Sequence, residues 1–216
     1  MDDAADLITD LNPLPDEIGG RLRAQLAFIA EADKLKTILR ASPLAAADRR
    51  ENDAEHSWHL ALMVLLLAEY ADEPIDVGHA MKLVIIHDMI EIYAGDSPVF
   101  DPAAVLDQRE REVAAADRLF TMLPEDQASE IRALWDEFEA AETAEARFCK
   151  GMDRLEPMLL NWLNRGGTWQ MPGATESKVR AREAGVVAAS TTLGEATDAI
   201  VRSGVANGWI RPDPEA

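Results

Sequence analysis

The sequence predicts an all-α fold: a single-domain bundle of about six or seven helices. Three observations predict it. Apolar residues recur at helical spacing almost everywhere, whereas alternating apolar and polar residues rarely persist beyond four positions. Aromatics make up only 6% of the chain, while Ala and Leu are abundant. The 216 residues suffice for one domain with a core of its own and no need of disulfides, and there is one cysteine.

Leu22, Leu26, Ile29, Leu35, Ile38 and Leu39 place an apolar stripe on a first helical region, which Pro43 ends. Asp48 to Glu51 has the form of a capping box, and Asp53 is a second candidate cap. A helix follows from about Glu55 to Tyr70, apolar nearly all round and therefore central. The next spans about Asp76 to Ala94 and stops at Gly95. Asp107 to Met122 is charge-laced, either a solvated face or a dimer contact. Pro124 separates it from a helix over Glu125 to Ala140. Ala141 to about Asn164 is a further helix, with a kink expected at Pro157 because proline cannot donate to the Asp153 carbonyl. After Gly166-Gly167, one helix is expected over Ser177 to Ile200, and the tail from Asn207 is read as irregular. The division is an N-terminal segment over 1–19, a main domain over 20–165, and a C-terminal helical extension over 166–216 packing on that domain.

Charge narrows the function. There are 21 basic and 40 acidic residues, so the net charge is 21 − 40 = −19. Such a surface repels phosphate backbones and anionic lipid, so nucleic-acid and membrane partners are not expected. A small phosphorylated ligand remains compatible if a metal or local arginine offsets the field. The acidic start, MDDAADLITD, lacks the features of a signal peptide, and the longest apolar run, Leu60 to Ala68, is nine residues. The expected location is cytoplasmic.

Three of the four histidines lie in apolar surroundings. His56 and His59 share one helix. His87 and Asp88 are adjacent within KLVIIHDMIEI. Burying Asp beside His is costly unless something neutralises it. A divalent cation does so, and imidazole with carboxylate suits Mn, Fe, Co, Ni or Zn, with Mg also compatible. Glu91 stands four residues after His87, on the same face of a continuous helix. Asp96 follows Gly95, where the chain can turn back.

These segments resemble the HD-domain phosphohydrolase superfamily, and within it the 5'-deoxynucleotidases. The family's R-x-E-N-x-x-E-H matches Arg49, Glu51, Asn52, Glu55 and His56. Its H-D-x-x-E-x-x-x-G-D matches His87, Asp88, Glu91, Gly95 and Asp96. A later ligand aspartate is most similar to Asp153 in FCKGMDRLEPML. The resemblance implies an all-α fold and metal ligands His56, His87, Asp88 and Asp153, selecting His56 over His59. It places Glu91 and Asp96 near the reacting water, or on a second, weaker metal. Glu91 is assigned as base and Asp96 as acid. The upstream segment L-K-x-x-x-R matches Leu35, Lys36 and Arg40, with Ala41, Ser42 and Pro43 where the family has glycine and tryptophan. Arg40 and Arg49 are expected to hold phosphate, or else to be salt-bridge and helix-end residues.

Trp169, in the Gly-rich segment NWLNRGGTWQMP, stacks on a nucleobase or caps the core. His79 is read as a surface residue, and Cys149 as a small buried one. The expected activity is metal-dependent hydrolysis of (deoxy)nucleoside 5'-monophosphates by a homodimer. The alternatives are an HD phosphohydrolase acting on a nucleoside triphosphate or cyclic nucleotide, and a non-catalytic metal-binding helical module. The signalling-nucleotide branch carries an acidic pair after His-Asp; Ile92 after Glu91 departs from it.

Overall fold

A computed structural model describes residues 14–15, 17–95 and 107–213. The bundle is built from α1 (Gly20–Ala32), α2 (Asp53–Leu67), α3 (Val77–Ile86), the short α4 (Glu91–Ala94), α5 (Gln108–Phe120), α6 (Glu125–Ala140), α7 (Ala144–Leu163), α8 (Glu176–Ala189) and α9 (Thr191–Ala206). Eight of these run ten residues or more among the described residues, one or two above expectation. None is long and apolar enough to cross a membrane.

Helices α2, α3 and α7 meet at the centre, where Leu60, Val64, Ala80, Leu83, Val84 and Met152 are fully buried. Helix α2 starts at Asn52. Its side chain accepts from the Glu55 amide, and the Glu55 carboxylate accepts from the Asn52 amide. This reciprocal box satisfies two orphan donors, so the cap is Asn52 and not Asp48 or Asp53. Helix α7 starts at Thr143, whose hydroxyl accepts from the Ala146 amide, and it runs on through Pro157.

Three boundaries differ from the periodicity. The first helix ends at Ala32 and a 3-10 turn at Thr37; Leu39–Pro43 is then a strand, β1. It pairs antiparallel with β2 (Arg50–Asn52), with Leu39 opposite Asn52 and Pro43 opposite Arg50. The expected helix over 76–94 is interrupted after Ile86. There Met89 N–H bonds to Ile86 O and Glu91 N–H to Asp88 O, a tightening to i−3 partners that re-aims His87 and Asp88. The expected helix over 177–200 is two helices. Ser190 lies between them in extended conformation, capping the Leu193 amide while its hydroxyl donates to Tyr70 O.

The C-terminal pair packs on α7 through small residues. A Cβ at Gly151 would lie 2.6 Å from Ala189 Cβ, a separation no side chain tolerates. Further along, Met158, Trp169, Val179, Val201 and Ile210 form a second apolar cluster.

Candidate metal centre

The four expected ligands come from distant parts of the chain and converge. His56 is on α2, His87 and Asp88 occupy the tightened turn after α3, and Asp153 is on α7. His56 Nε2 lies 3.2 Å from Asp153 Oδ1 and 3.9 Å from Asp88 Oδ2. His87 Nε2 lies 3.1 Å from Asp88 Oδ2 and 4.0 Å from Asp153 Oδ1. Ligands about 2.1 Å from a shared ion stand roughly 3–4 Å apart, the order of these His–Asp distances. His56, His87 and Asp88 bring their ligand atoms within 4.8 Å of one another, and Asp153 adjoins them through the two histidines.

The histidine chemistry fits as well. His87 Nδ1–H donates to the Val84 carbonyl at 2.7 Å, which leaves the Nε2 lone pair facing the carboxylates. That Nε2 is buried and accepts no hydrogen bond among the described residues. A buried acceptor aimed at two carboxylates is satisfied by a cation, not by more protein. His56, fully buried, turns its other nitrogen towards Glu156 Oε2 at 3.4 Å and Glu51 Oε2 at 3.6 Å. Glu156 also accepts from His59 Nδ1–H at 3.0 Å.

The electrostatics follow from crowding. Burial pushes the Asp88 carboxyl up, but the neighbouring His87 and the Arg40 guanidinium outweigh it and hold it well below the usual range. Asp153 is likewise pushed up by burial and drawn down further by His56 and His87. Burial and Arg40 disfavour a charged His56, yet Asp153, Glu156 and Glu51 prevail and raise its pKa. Burial, and then the neighbouring Glu156, raise the Glu51 carboxyl.

Arg40 reaches the cluster from β1. Its Nη1 is 2.5 Å from Asp88 Oδ2 and 3.4 Å from Asp53 Oδ1, and its Nη2 is 3.8 Å from Asp153 Oδ1. Glu91 opens α4, partly buried, one tightened turn past His87. Asp96 lies outside the described residues. Arg49 is not brought to the cluster: it is exposed, its Nη1 2.8 Å from Glu55 Oε2. Trp169 corrects the expectation of base stacking. It is 2% exposed and packs in the second apolar cluster, with no ring face open to a base.

Glu51, Asp53 and Glu156 are buried beside these ligands. The sequence reading gives Glu156 no role and has Glu51 and Asp53 as helix-capping positions, Glu51 also as a motif match, without placing either at the centre. Glu156 carried a signal, because it follows Asp153 at i+3 and so shares its helix face. Glu51 sits two residues before a helix that is apolar nearly all round, which already made a solvated carboxylate improbable there.

An HD-domain family profile matches residues 32–193. The chain belongs to the HD-domain family. The HD match thus runs past α7 through α8 and into α9. Among curated HD relatives, the chain is 30% identical over 149 residues to 5'-deoxynucleotidase HDDC2 of Bos taurus, covering 68% of this chain and 71% of that one. It is 29% identical over 142 residues to 5'-deoxynucleotidase HDDC2 of Homo sapiens, covering 65% of this chain and 68% of that one. A crystal structure of a predicted metal-dependent phosphohydrolase from Magnetospirillum magnetotacticum MS-1 superposes with a TM-score of 0.85 at 50% identity. It covers 89% of this chain and 96% of the other.

Proposed function

We propose that this HD-domain protein is a metal-dependent phosphomonoesterase that hydrolyses (deoxy)nucleoside 5'-monophosphates to nucleoside and phosphate. The observation that carries the reading is the convergence of His56, His87, Asp88 and Asp153, with the buried His87 Nε2 aimed into the cluster. The relatives named as 5'-deoxynucleotidases support the substrate class.

His56, His87, Asp88 and Asp153 hold a divalent transition metal in this reading. Bound there, the ion neutralises phosphoryl charge and acidifies a water. Glu91 takes the water's proton as general base. Asp96 returns a proton to the departing 5'-oxygen, which otherwise leaves as a poor alkoxide. Arg40 keeps Asp88 ionised and oriented, and offers its guanidinium to the phosphate edge. Arg49, held by Glu55 on the surface, contributes to the fold of the β2–α2 corner and takes no part in substrate binding in this reading.

The protein works as a homodimer in this proposal. Trp58, Leu62, Leu65 and Leu66 stand exposed along α2 at helical spacing, with Trp58 67% exposed, an apolar stripe suited to a second copy.

Phosphate release is the direct test. Metal-stripped protein is assayed on deoxy- and ribonucleoside monophosphates with Mn, Co, Mg or Zn restored, alongside Asp88→Ala. Metal-dependent release confined to monophosphates and lost in Asp88→Ala supports the reading. Metal binding without release from any monophosphate sinks it.

A further inference from the structure

Two arginines beside the centre have no acid in ion-pair contact among the described residues. Arg154 follows Asp153 on α7, and Arg182 projects from α8. Neither makes a hydrogen bond or ion pair among the described residues. Acids are not scarce in a chain with 40 of them. Arg180, two residues before Arg182, has Glu176 at 2.9 Å and Asp198 at 3.0 Å. Arg132 and Arg147 are paired too.

The register of α8 on α7 brings the two together at the centre. Gly151 meets Ala189, a Cβ at Gly185 would touch Arg154 Cγ at 3.2 Å, and Met158 shares a cluster with Val179. The two helices therefore run antiparallel, and Arg182 lies about one turn along α8 from the Gly185–Arg154 contact, with Arg154 and Asp153 among its charged neighbours. Charge confirms the proximity. Arg182 senses Arg154, Asp153 and Arg40, and burial, followed by the repulsion of Arg154, lowers it to about 10. Two partly buried guanidiniums that repel each other, with Asp153 nearby but no carboxylate in ion-pair contact among the described residues, are costly. An anion arriving between them removes that cost.

We propose that Arg182, with Arg154 beside it, forms an oxyanion-binding wall of the centre and takes the phosphoryl oxygens of the substrate, so that the C-terminal helix α8 completes the site. A guanidinium fork suits a phosphate dianion better than an ammonium does. The substrate role rests on the phosphomonoesterase reading; the anion binding does not.

Calorimetric titration of inorganic phosphate into Mn-loaded full-length protein tests it, with Mn content and circular dichroism recorded for each variant. Arg182→Met keeps the apolar stem and loses the charge. It is expected to weaken phosphate binding about tenfold or more at unchanged Mn content, as loss of a charged hydrogen bond predicts. Arg182→Lys should recover part of the loss, and Arg154→Met should lose less. Phosphate binding within about twofold of wild type in folded Arg182→Met, or no phosphate binding by wild type, overturns the proposal. Arg182-dependent phosphate binding by a protein that hydrolyses no monophosphate overturns the function instead and leaves the anion site standing.

Discussion

Arg40 Nη1 lies 2.5 Å from Asp88 Oδ2, so a strand residue supplies the cation that faces the His-Asp pair. The same guanidinium approaches Asp53 and Asp153, which makes it the principal local counter-charge among the described residues. Removing it leaves buried carboxylates against one another. Arg40→Ala is expected to destabilise the metal-free protein by about 2–3 kcal/mol, a little under the roughly 3–5 kcal/mol for breaking a fully buried pair because Arg40 and Asp88 keep some exposure. At this chain length that is roughly a 5–10 °C fall in Tm. A divalent ion would replace the lost charge, so added Mn should raise the Tm of Arg40→Ala more than that of wild type. Differential scanning calorimetry with and without Mn decides it; equal increments would show that Arg40 and the ion do not share a task.

Glu156 approaches both His56 and His59, meeting His56 on the side turned away from Asp153. Its carboxylate accepts from His59 and faces, at 3.4 Å, the His56 nitrogen that points away from Asp153. Such outer partners set ring orientation and basicity. Glu156→Gln keeps the volume and removes the charge, and metal affinity should fall about 10- to 100-fold. Competition with a chromophoric chelator measures this. Unchanged affinity in a folded variant would reduce Glu156 to a packing role.

Glu91 distinguishes an enzyme from a metal-binding module. Glu91→Ala should leave metal content and the unfolding midpoint close to wild type while lowering kcat by about 10²–10⁴, the usual span for a general base. Loss of metal along with turnover would move Glu91 into the ligand set.

The His87-Asp88 pair stands out in the sequence because its signal is local, whereas His56 in preference to His59, and Asp153, come only from the family resemblance. A His-Asp pair inside KLVIIHDMIEI is an anomaly that can be seen without knowing the fold. Arg40 was legible as a residue but not as a strand residue: β1 exists only because it pairs with β2, and neither alternates apolar and polar positions. The interruption at His87–Ile90 was hidden because Met89 and Ile90 are acceptable in a helix, and the change is one of hydrogen-bond register. The division at Ser190 depends on its bond to the Tyr70 carbonyl, 120 residues away. Trp169 had two compatible fates, and tertiary packing against Val201 and Ile210 chose the core. Arg182 gave no sequence signal at all, since its meaning comes from the register of α8 against α7.

Cys149 is fully buried on α7, its thiol donating to the Ala80 carbonyl. Burial first, then Glu137 and Glu145, push the thiol up to about 12. A thiolate is the reactive species, so at pH 8 almost none is present. The native protein should not react with a disulfide reagent over minutes, and full reaction of one thiol should appear only on unfolding in guanidinium. Fast labelling of the folded protein would mean that α7 opens locally.

Glu183 gives a pH signature that is separate from the metal centre. It is 6% exposed, and burial followed by the Asp198 charge raises its carboxyl above the ordinary value, despite Arg180 at 3.5 Å. A raised carboxyl binds its proton more tightly in the folded chain than in the unfolded one. Its contribution to stability is therefore lost as pH rises from the ordinary carboxylate value through the raised one, and above that the penalty is constant. Glu183→Gln stays neutral throughout and escapes the penalty. It should melt higher than wild type at pH 7, while the two should converge near pH 4, where the wild-type carboxyl is protonated in the folded state. Thermal unfolding monitored at both pH values reads this directly; a variant that melts lower at pH 7 would mean that the Arg180 pairing outweighs the burial.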